Sequence, residues 1–372
     1  MRKDESMMQR LNSANSPAPA KRISRRRALR IVAVAAGLPL GIAALRATAP
    51  AGQLFHWQGD VLGALSEVTL WHTDAALAQT SFIRMRGEIA RYERILSLYD
   101  PESEISRLNA AGSLARPSPE LHSLIDDAQR FSVLSDGAFD ISVQPLWRLY
   151  EAQFWSHADV RPDFEQRARE VAHDLVDFRR IDNNASRVVF ARDGMGITLN
   201  SLGQGYITDA ITDMLRNEGF ESAMVDLGEF RAIGRHPDGR AWRIEIAEGA
   251  TRGAAASQDG ADRITAGVPP RSVELADTAL AVSGGYGTVF EPTGRFHHIF
   301  DPKSGMSANA LIDAAVIGPR ATTANGLATV LCVTGESRAA AMLAAFPGTR
   351  ALLTRPDGTR ITVTAAGVVP AA

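Results

Sequence analysis

"ITLNSLGQGYITDAI" (residues 197–211) has the outline of a nucleotide-binding loop: an apolar strand, two glycines flanking one residue, then a helical pattern. A dinucleotide fingerprint needs a third glycine three positions after the second, and an acidic residue on a following strand. Thr208 stands at the glycine position and no such acidic residue is evident. A phosphate-binding Walker loop is excluded as well, because no Gly-Lys-Ser/Thr follows. Spacing alone therefore reads Gly203 and Gly205 as a tight strand-to-helix turn, and the fold class has to be read from the neighbouring segments.

Those segments interleave helices with hairpin-like strands. Residues 66–72 read as a strand, and Leu77, Ile83, Ile89, Tyr92 and Leu96 recur at helical intervals over 74–98. Ser118-Pro119 is an N-cap followed by a proline at the first helical position, opening a helix that closes near Gly137. "RVVF" and "MGITLN" predict a hairpin around Asp193-Gly194, followed by a helix over 205–218 and strands near 222–227 and 240–247. Strand signals return at 272–283, a helix is predicted over 322–334, and "RALLTRPDGTRITVTA" closes the chain as a hairpin. So many hairpin-like neighbours favour α+β over a parallel doubly wound sheet. The Gly/Ala-rich, aperiodic stretch 249–269 reads as a flexible surface insertion.

The chain has 372 residues, 45% of them apolar. At roughly 100 to 200 residues per domain this permits one large domain or two small ones. Its first 49 residues read as a separate element: a basic stretch containing Arg25-Arg26-Arg27, an apolar run from Ile31 to Leu45, then Ala47-Thr48-Ala49. That order is a secretory signal of the twin-arginine type, cleaved after Ala49. The apolar run is shorter than the roughly 20 residues of a spanning helix. Removing it takes ten Lys/Arg and two Asp/Glu from totals of 40 and 42, leaving a net charge of −10. An acidic body does not suit a nucleic-acid binder. The single cysteine, Cys332, excludes internal disulfides and sits in an apolar run as a core residue.

Four segments in order carry a family resemblance. "LSLYDPESEISRLN" (96–109), "GAFDISVQPLWRLY" (137–150), "HHIFDPKSG" (297–305) and "TTANGLATVL" (322–331) resemble, in turn, the tyrosine-"SEISRLN", "GAFDITVGPL", "HHILDPRTG" and "ADALATAL" segments of the ApbE-type FAD:protein FMN transferases. The opening stretch is similar to that family's "DLGGIAKGYAVD". The resemblance, over about residues 57–335, implies a two-lobed α+β fold whose mixed sheets are flanked by helices, with a ligand cleft between the lobes. It implies FAD as ligand and Mg²⁺ as metal. Leu62, Tyr99, Ala138, Phe139, Asp140, Thr198, Gln204 and Ile299 are then expected at the flavin nucleotide, and Ser201, Thr322, Asn325 and Thr329 at the metal. His298 is expected to position or deprotonate an acceptor hydroxyl, with Asp301 orienting it or fixing the turn.

Four positions depart from the family pattern. Its lysine falls on Gln204, the aspartate opening that segment on Thr198, and the carboxylates of the metal segment on Thr322 and Asn325. Neutral oxygens replace carboxylates where Mg²⁺ prefers at least one, which predicts metal binding that depends on the pyrophosphate of FAD. These changes, with the twin-arginine signal, are most similar to the NosX branch, accessory proteins of nitrous-oxide reduction. That implies a periplasmic enzyme whose acceptor is a membrane-bound flavoprotein of the NosR type, modified on a threonine. The rival readings are a non-catalytic FAD-binding delivery protein and an FAD pyrophosphatase.

Overall fold

The computed structural model describes residues 52–156, 160–246 and 271–369. The signal region and the 249–269 stretch lie outside them. The described chain opens with β1 (Gln53–Val61) and β2 (Ala64–His72), joined by Leu62 and Gly63, both at positive φ, the two-residue turn that suits the twist of a hairpin. Helix α1 (Ala75–Leu96) starts at Asp74, whose carboxylate accepts the Ala76 and Leu77 N–H groups. Next come α2 (Glu104–Ala111), β3 (Ser113–Ala115), α3 (Pro119–Leu134), α4 (Gln144–Ser156) and α5 (Phe164–Leu175). Ser118 caps α3 through the Leu121 N–H, as the Ser-Pro pair predicts.

The rest of the chain runs β4 (Ile181–Asn184), β5 (Arg187–Phe190), α6 (Asn200–Asn217), β6 (Ala223–Asp226) and β7 (Phe230–Ile233). It continues through β8 (Trp242–Ile246), β9 (Arg271–Leu275), β10 (Ala279–Gly284), β11 (Asp313–Gly318) and α7 (Ala321–Thr334). Helix α8 (Ala339–Ala344) and strands β12 (Arg350–Thr354), β13 (Arg360–Thr364) and β14 (Gly367–Val369) complete it. Nine strands form one open sheet in the order β1-β2-β6-β7-β10-β11-β12-β13-β14, antiparallel at every pairing.

The alternation of side chains along each strand divides the core. Val225, Ala281, Ala314 and Val316 face a helical layer that includes residues of α1, α3, α6 and α7. Met224, Leu280, Val282, Ala315 and Ile317 face the other way, onto the β8–β9 ribbon. A third cluster is aromatic and joins α4 and α5 to the segment after β10: Tyr150, Phe164, Phe296 and Phe300 are buried together, with Tyr150 4.8 Å from Phe164 and 4.7 Å from Phe300 between ring centres. The architecture is α+β with no closed barrel, as the hairpin-rich pattern predicts.

Two local readings are corrected. The hairpin expected at Asp193-Gly194 is not formed: β5 pairs with β4 and β3 instead. Residues 195–199 run as irregular backbone because a side chain replaces the missing strand. Asn109 accepts the Ile197 N–H at 2.7 Å and donates to the Ile197 carbonyl at 2.8 Å, and the Thr198 N–H reaches the Ile141 carbonyl. The two glycines also do not turn the chain, since both lie inside α6. A Cβ on Gly205 would lie 2.6 Å from the Ala321 carbonyl oxygen, so Gly205 is there to let the backbones of α6 and α7 touch.

Candidate active site

Helix α7 begins against α6, and one side chain joins them. Asp209 of α6, fully buried, accepts the N–H groups of Ala321 and Thr322 and the Thr322 hydroxyl at 2.7–3.0 Å. It also pairs with Arg231 at 3.0 Å and Arg320 at 3.2 Å. A carboxylate capping the positive end of a helix is favourable, and two guanidiniums compensate its burial. The Thr322 hydroxyl, expected at the metal, donates its proton to this helix cap.

One turn further along α7, Asn325 is 3% exposed and its Nδ2 has no partner among the described residues. Thr329, four residues on and therefore on the same face, places its hydroxyl 3.3 Å from that of Ser283 on β10. Ser201 and Gln204 are half-buried in the first turns of α6, with the Gln204 amide packed over Gly228 of the β6–β7 turn. The Thr198 hydroxyl accepts the Asn200 N–H at 3.3 Å. Leu62 reaches the same helix from the hairpin turn: a Cβ on Gly203 would meet Leu96 and Leu62 at 3.6 and 3.9 Å. Tyr99, just past the end of α1, is 51% exposed.

The segment 138–140 is occupied differently from what the resemblance implies. The Phe139 N–H donates to the Ser135 hydroxyl and the Ala138 N–H to the Ser135 carbonyl, so both amides close the end of α3. The Phe139 ring packs on Phe131. The Asp140 carboxylate accepts the Ser142 N–H and hydroxyl and the Phe178 N–H; burial pushes it above the usual carboxylate range and these hydrogen bonds oppose that. These groups, expected at the flavin nucleotide, are thus held by hydrogen bonds within the protein.

The histidine pair divides as strand alternation predicts. His297 is 4% exposed, its N–H and carbonyl both held by the Ser307 hydroxyl. Its ring lies against Gly285, where a Cβ would sit 2.7 Å from the imidazole. Gly285→Ala is therefore expected to displace that ring and slow any reaction depending on the pair, with little change in overall fold; a crystal structure of the variant with an unmoved imidazole would contradict this. His298 is half-buried, with Nδ1 3.2 Å from the Thr288 carbonyl. A carbonyl only accepts, so Nδ1 carries the proton and Nε2 keeps a free lone pair. Burial, then the neighbouring His297, pushes the imidazole down to about 4, so it is neutral at pH 7. Asp301 fixes the turn: its carboxylate accepts from the Lys303 N–H and the Ser304 hydroxyl, and its carbonyl from the Gly305 N–H. Ile299 is buried in the helical-side core.

Sequence reasoning missed Asp209, Ser283, Thr288 and Glu229. Glu229, 6% exposed, closes the β6–β7 turn. Burial, then the Asp226 carboxylate, pushes it well above the usual range, opposed by the Val282 N–H on β10. Asp226 itself is pushed up to about 7, chiefly by burial. Among the described residues, no three His, Cys, Asp or Glu side chains group to hold a metal. Asn325 and Thr329 are hard, neutral oxygen donors in a suitable place, so they fit a magnesium ion whose remaining charge balance comes from elsewhere. A cavity of ≈ 290 Å³ between α3, α6 and α7, lined by Arg130, Phe131, Tyr206 and Arg320, meets the expected set only at Thr322.

The class this geometry defines is an α+β protein with two helices in close contact, a histidine held by a carbonyl after β10 and neutral oxygen donors on α7. The ApbE family model matches residues 62–353, and the chain belongs to the ApbE family. It is 30% identical over 304 residues to an FAD:protein FMN transferase of Vibrio cholerae, spanning 79% of this chain and 85% of that one. To an FAD:protein FMN transferase of Treponema pallidum it is 29% identical over 315 residues, spanning 80% and 83%. The fold is similar to that of the Pseudomonas stutzeri flavinyl transferase ApbE in its apo form, with a TM-score of 0.65 and 25% identity, covering 83% of this chain and 93% of that chain.

Proposed function

We propose that the protein transfers the FMN half of FAD to a threonine of an acceptor protein through a phosphoester bond, releasing AMP. The relatives' activity supports this reading, and the observation that carries it is the tautomer of His298. With Nδ1 tied to Thr288, Nε2 is the acceptor that a threonine hydroxyl needs. A conjugate acid of about 4 makes the ring a weak proton sink, so its main contribution is to orient the hydroxyl. The hydroxyl oxygen attacks the FMN-side phosphorus, the P–O bond to AMP breaks, and the hydroxyl proton, received at His298 Nε2, passes to the phosphate oxygen of AMP, which leaves with that electron pair. Tyr99 offers its face to the flavin, and Ser201 and Gln204 line the start of α6, whose N-terminal end favours the pyrophosphate charge.

Asn325 and Thr329, with a backbone carbonyl near Ser201, would hold Mg²⁺. When bound, the ion draws charge from the phosphoryl oxygens and eases departure of AMP. The twin-arginine signal supports a periplasmic location, and the neutral residues at 198, 204, 322 and 325 support the NosX branch. In that setting the acceptor is a NosR-like membrane flavoprotein and the process is nitrous-oxide reduction.

One assay tests the reading. The protein is incubated with FAD, Mg²⁺ and a threonine-containing acceptor domain, and the acceptor is weighed by mass spectrometry. A gain equal to FMN is expected. Free FMN and AMP with unmodified acceptor would replace the reading with an FAD pyrophosphatase, and unchanged FAD would replace it with a delivery protein.

A further inference from the structure

We propose that Glu229 is a direct ligand of the divalent cation that accompanies FAD, supplying the carboxylate that positions 322 and 325 lack; this rests on the transferase reading above. Four elements meet at the end of the α6–α7 cleft. The Glu229 carbonyl accepts the Thr208 hydroxyl of α6 at 3.2 Å, and the Glu229 carboxyl lies by the Val282 N–H of β10. The next residue of β10, Ser283, has its hydroxyl 3.3 Å from Thr329 on α7. Asn325, one turn earlier on the same face, is buried with an unpartnered amide. A carboxyl, two hydroxyls and an amide are thus gathered where α6, α7 and β10 converge.

The chemistry of that gathering is incomplete as it stands. No basic side chain forms an ion pair with Glu229 among the described residues, whereas Asp209, the other buried carboxylate of this region, is paired with two arginines. A carboxylate buried without a countercharge costs several kcal/mol on the order of magnitude and is relieved by a proton or by a cation. A cation also accounts for Asn325, since rotating its amide by half a turn presents Oδ1 in place of the unpartnered Nδ2. The resulting set of one carboxylate and several neutral oxygens, completed by phosphate, is what Mg²⁺ accepts. Asp226 is engaged elsewhere: its carboxylate accepts the Gly228 N–H at 3.1 Å, and its cross-strand neighbour is Glu67.

The test is a titration of the full chain with Mn²⁺, read as loss of the free-ion electron paramagnetic resonance signal, with and without FAD. The wild type should bind one ion more tightly with FAD present. Glu229→Gln, which keeps an acceptor for the Val282 N–H, should weaken binding at least about tenfold while thermal melting stays near that of the wild type. Adding Asn325→Asp to this variant should recover most of the loss, because it returns one negative charge to the same cation. Equal affinity of wild type and Glu229→Gln overturns the proposal, as does a wild type that takes up no Mn²⁺ with or without FAD. Mass analysis of acceptor treated with the same wild-type sample separates the two ideas: Glu229-dependent Mn²⁺ binding without FMN transfer sinks the transferase reading and leaves the ligand assignment standing.

Discussion

Replacing Asp209 by alanine will lower the unfolding free energy by about 3–5 kcal/mol, measured by denaturant titration. Two effects add. The substitution leaves Arg231, whose side chain is 7% exposed, with the half-exposed Asp213 at 2.8 Å as its remaining carboxylate and the residue-209 carbonyl at 3.3 Å. It also takes the cap from α7, so the Ala321 and Thr322 N–H groups lose their acceptor, at a cost of about 1 kcal/mol. Because α7 carries Asn325 and Thr329, its first turns should loosen before the sheet does. Hydrogen exchange would show this as faster exchange confined to α7 and the start of α6. A loss of under about 1 kcal/mol would mean that Asp213 alone holds both arginines, and the account of the helix junction would fail.

His298→Ala is expected to cut FMN transfer by about 10²-fold or more while FAD stays bound, as judged by the visible flavin spectrum. The pH dependence has a definite sign. A histidine whose folded-state value is depressed stays neutral as the pH falls through the usual 6.5 and gains its proton only near 4. Wild-type transfer should therefore show no histidine inflection between pH 5 and 8, and any loss from this ring should appear on the acid side near 4. A clear inflection near 6.5 that disappears in His298→Ala would show that the ring is not desolvated and acts as an ordinary base. Loss of FAD on purification of the variant would assign the ring to binding.

How much of this was legible follows from how local each cause is. The caps of α1 and α3 come from adjacent residues, and the Ser118-Pro119 signal gave the start of α3 correctly. The division of His297 and His298 between inside and edge follows from the two-residue repeat of extended chain. The stretch around 195–199 was misread as a strand because its backbone partners come from Asn109 and Ile141, far away in sequence. Gly203 and Gly205 were misread for a related reason. Local rules connect glycine to turns, whereas the cause here is a helix packed against it more than a hundred residues later. The 272–283 strand signal concealed a break at Asp277, which sits at φ 53° and separates β9 from β10. Short, fully buried β7 was not seen at all, since "FRAI" has no alternation to detect. In the site, motif matching placed Asn325 and Thr329 on one helix face as found. It could not show that Asp140 also holds the Phe178 N–H, outside the matched segments, or that Asp209, inside the opening stretch, caps α7 at Thr322.

The salt-bridged aspartate between α6 and α7 has one more consequence. In many metalloenzymes the ion itself pulls its ligands into register, so every ligand is under the same selective constraint. Here the scaffold is already preorganised by protein groups alone, through Asp209, Arg231, Arg320 and the backbone contact at Gly205. The helix pair therefore keeps its geometry whatever oxygen donors stand at positions 322 and 325, since none of the groups that fix it is one of them.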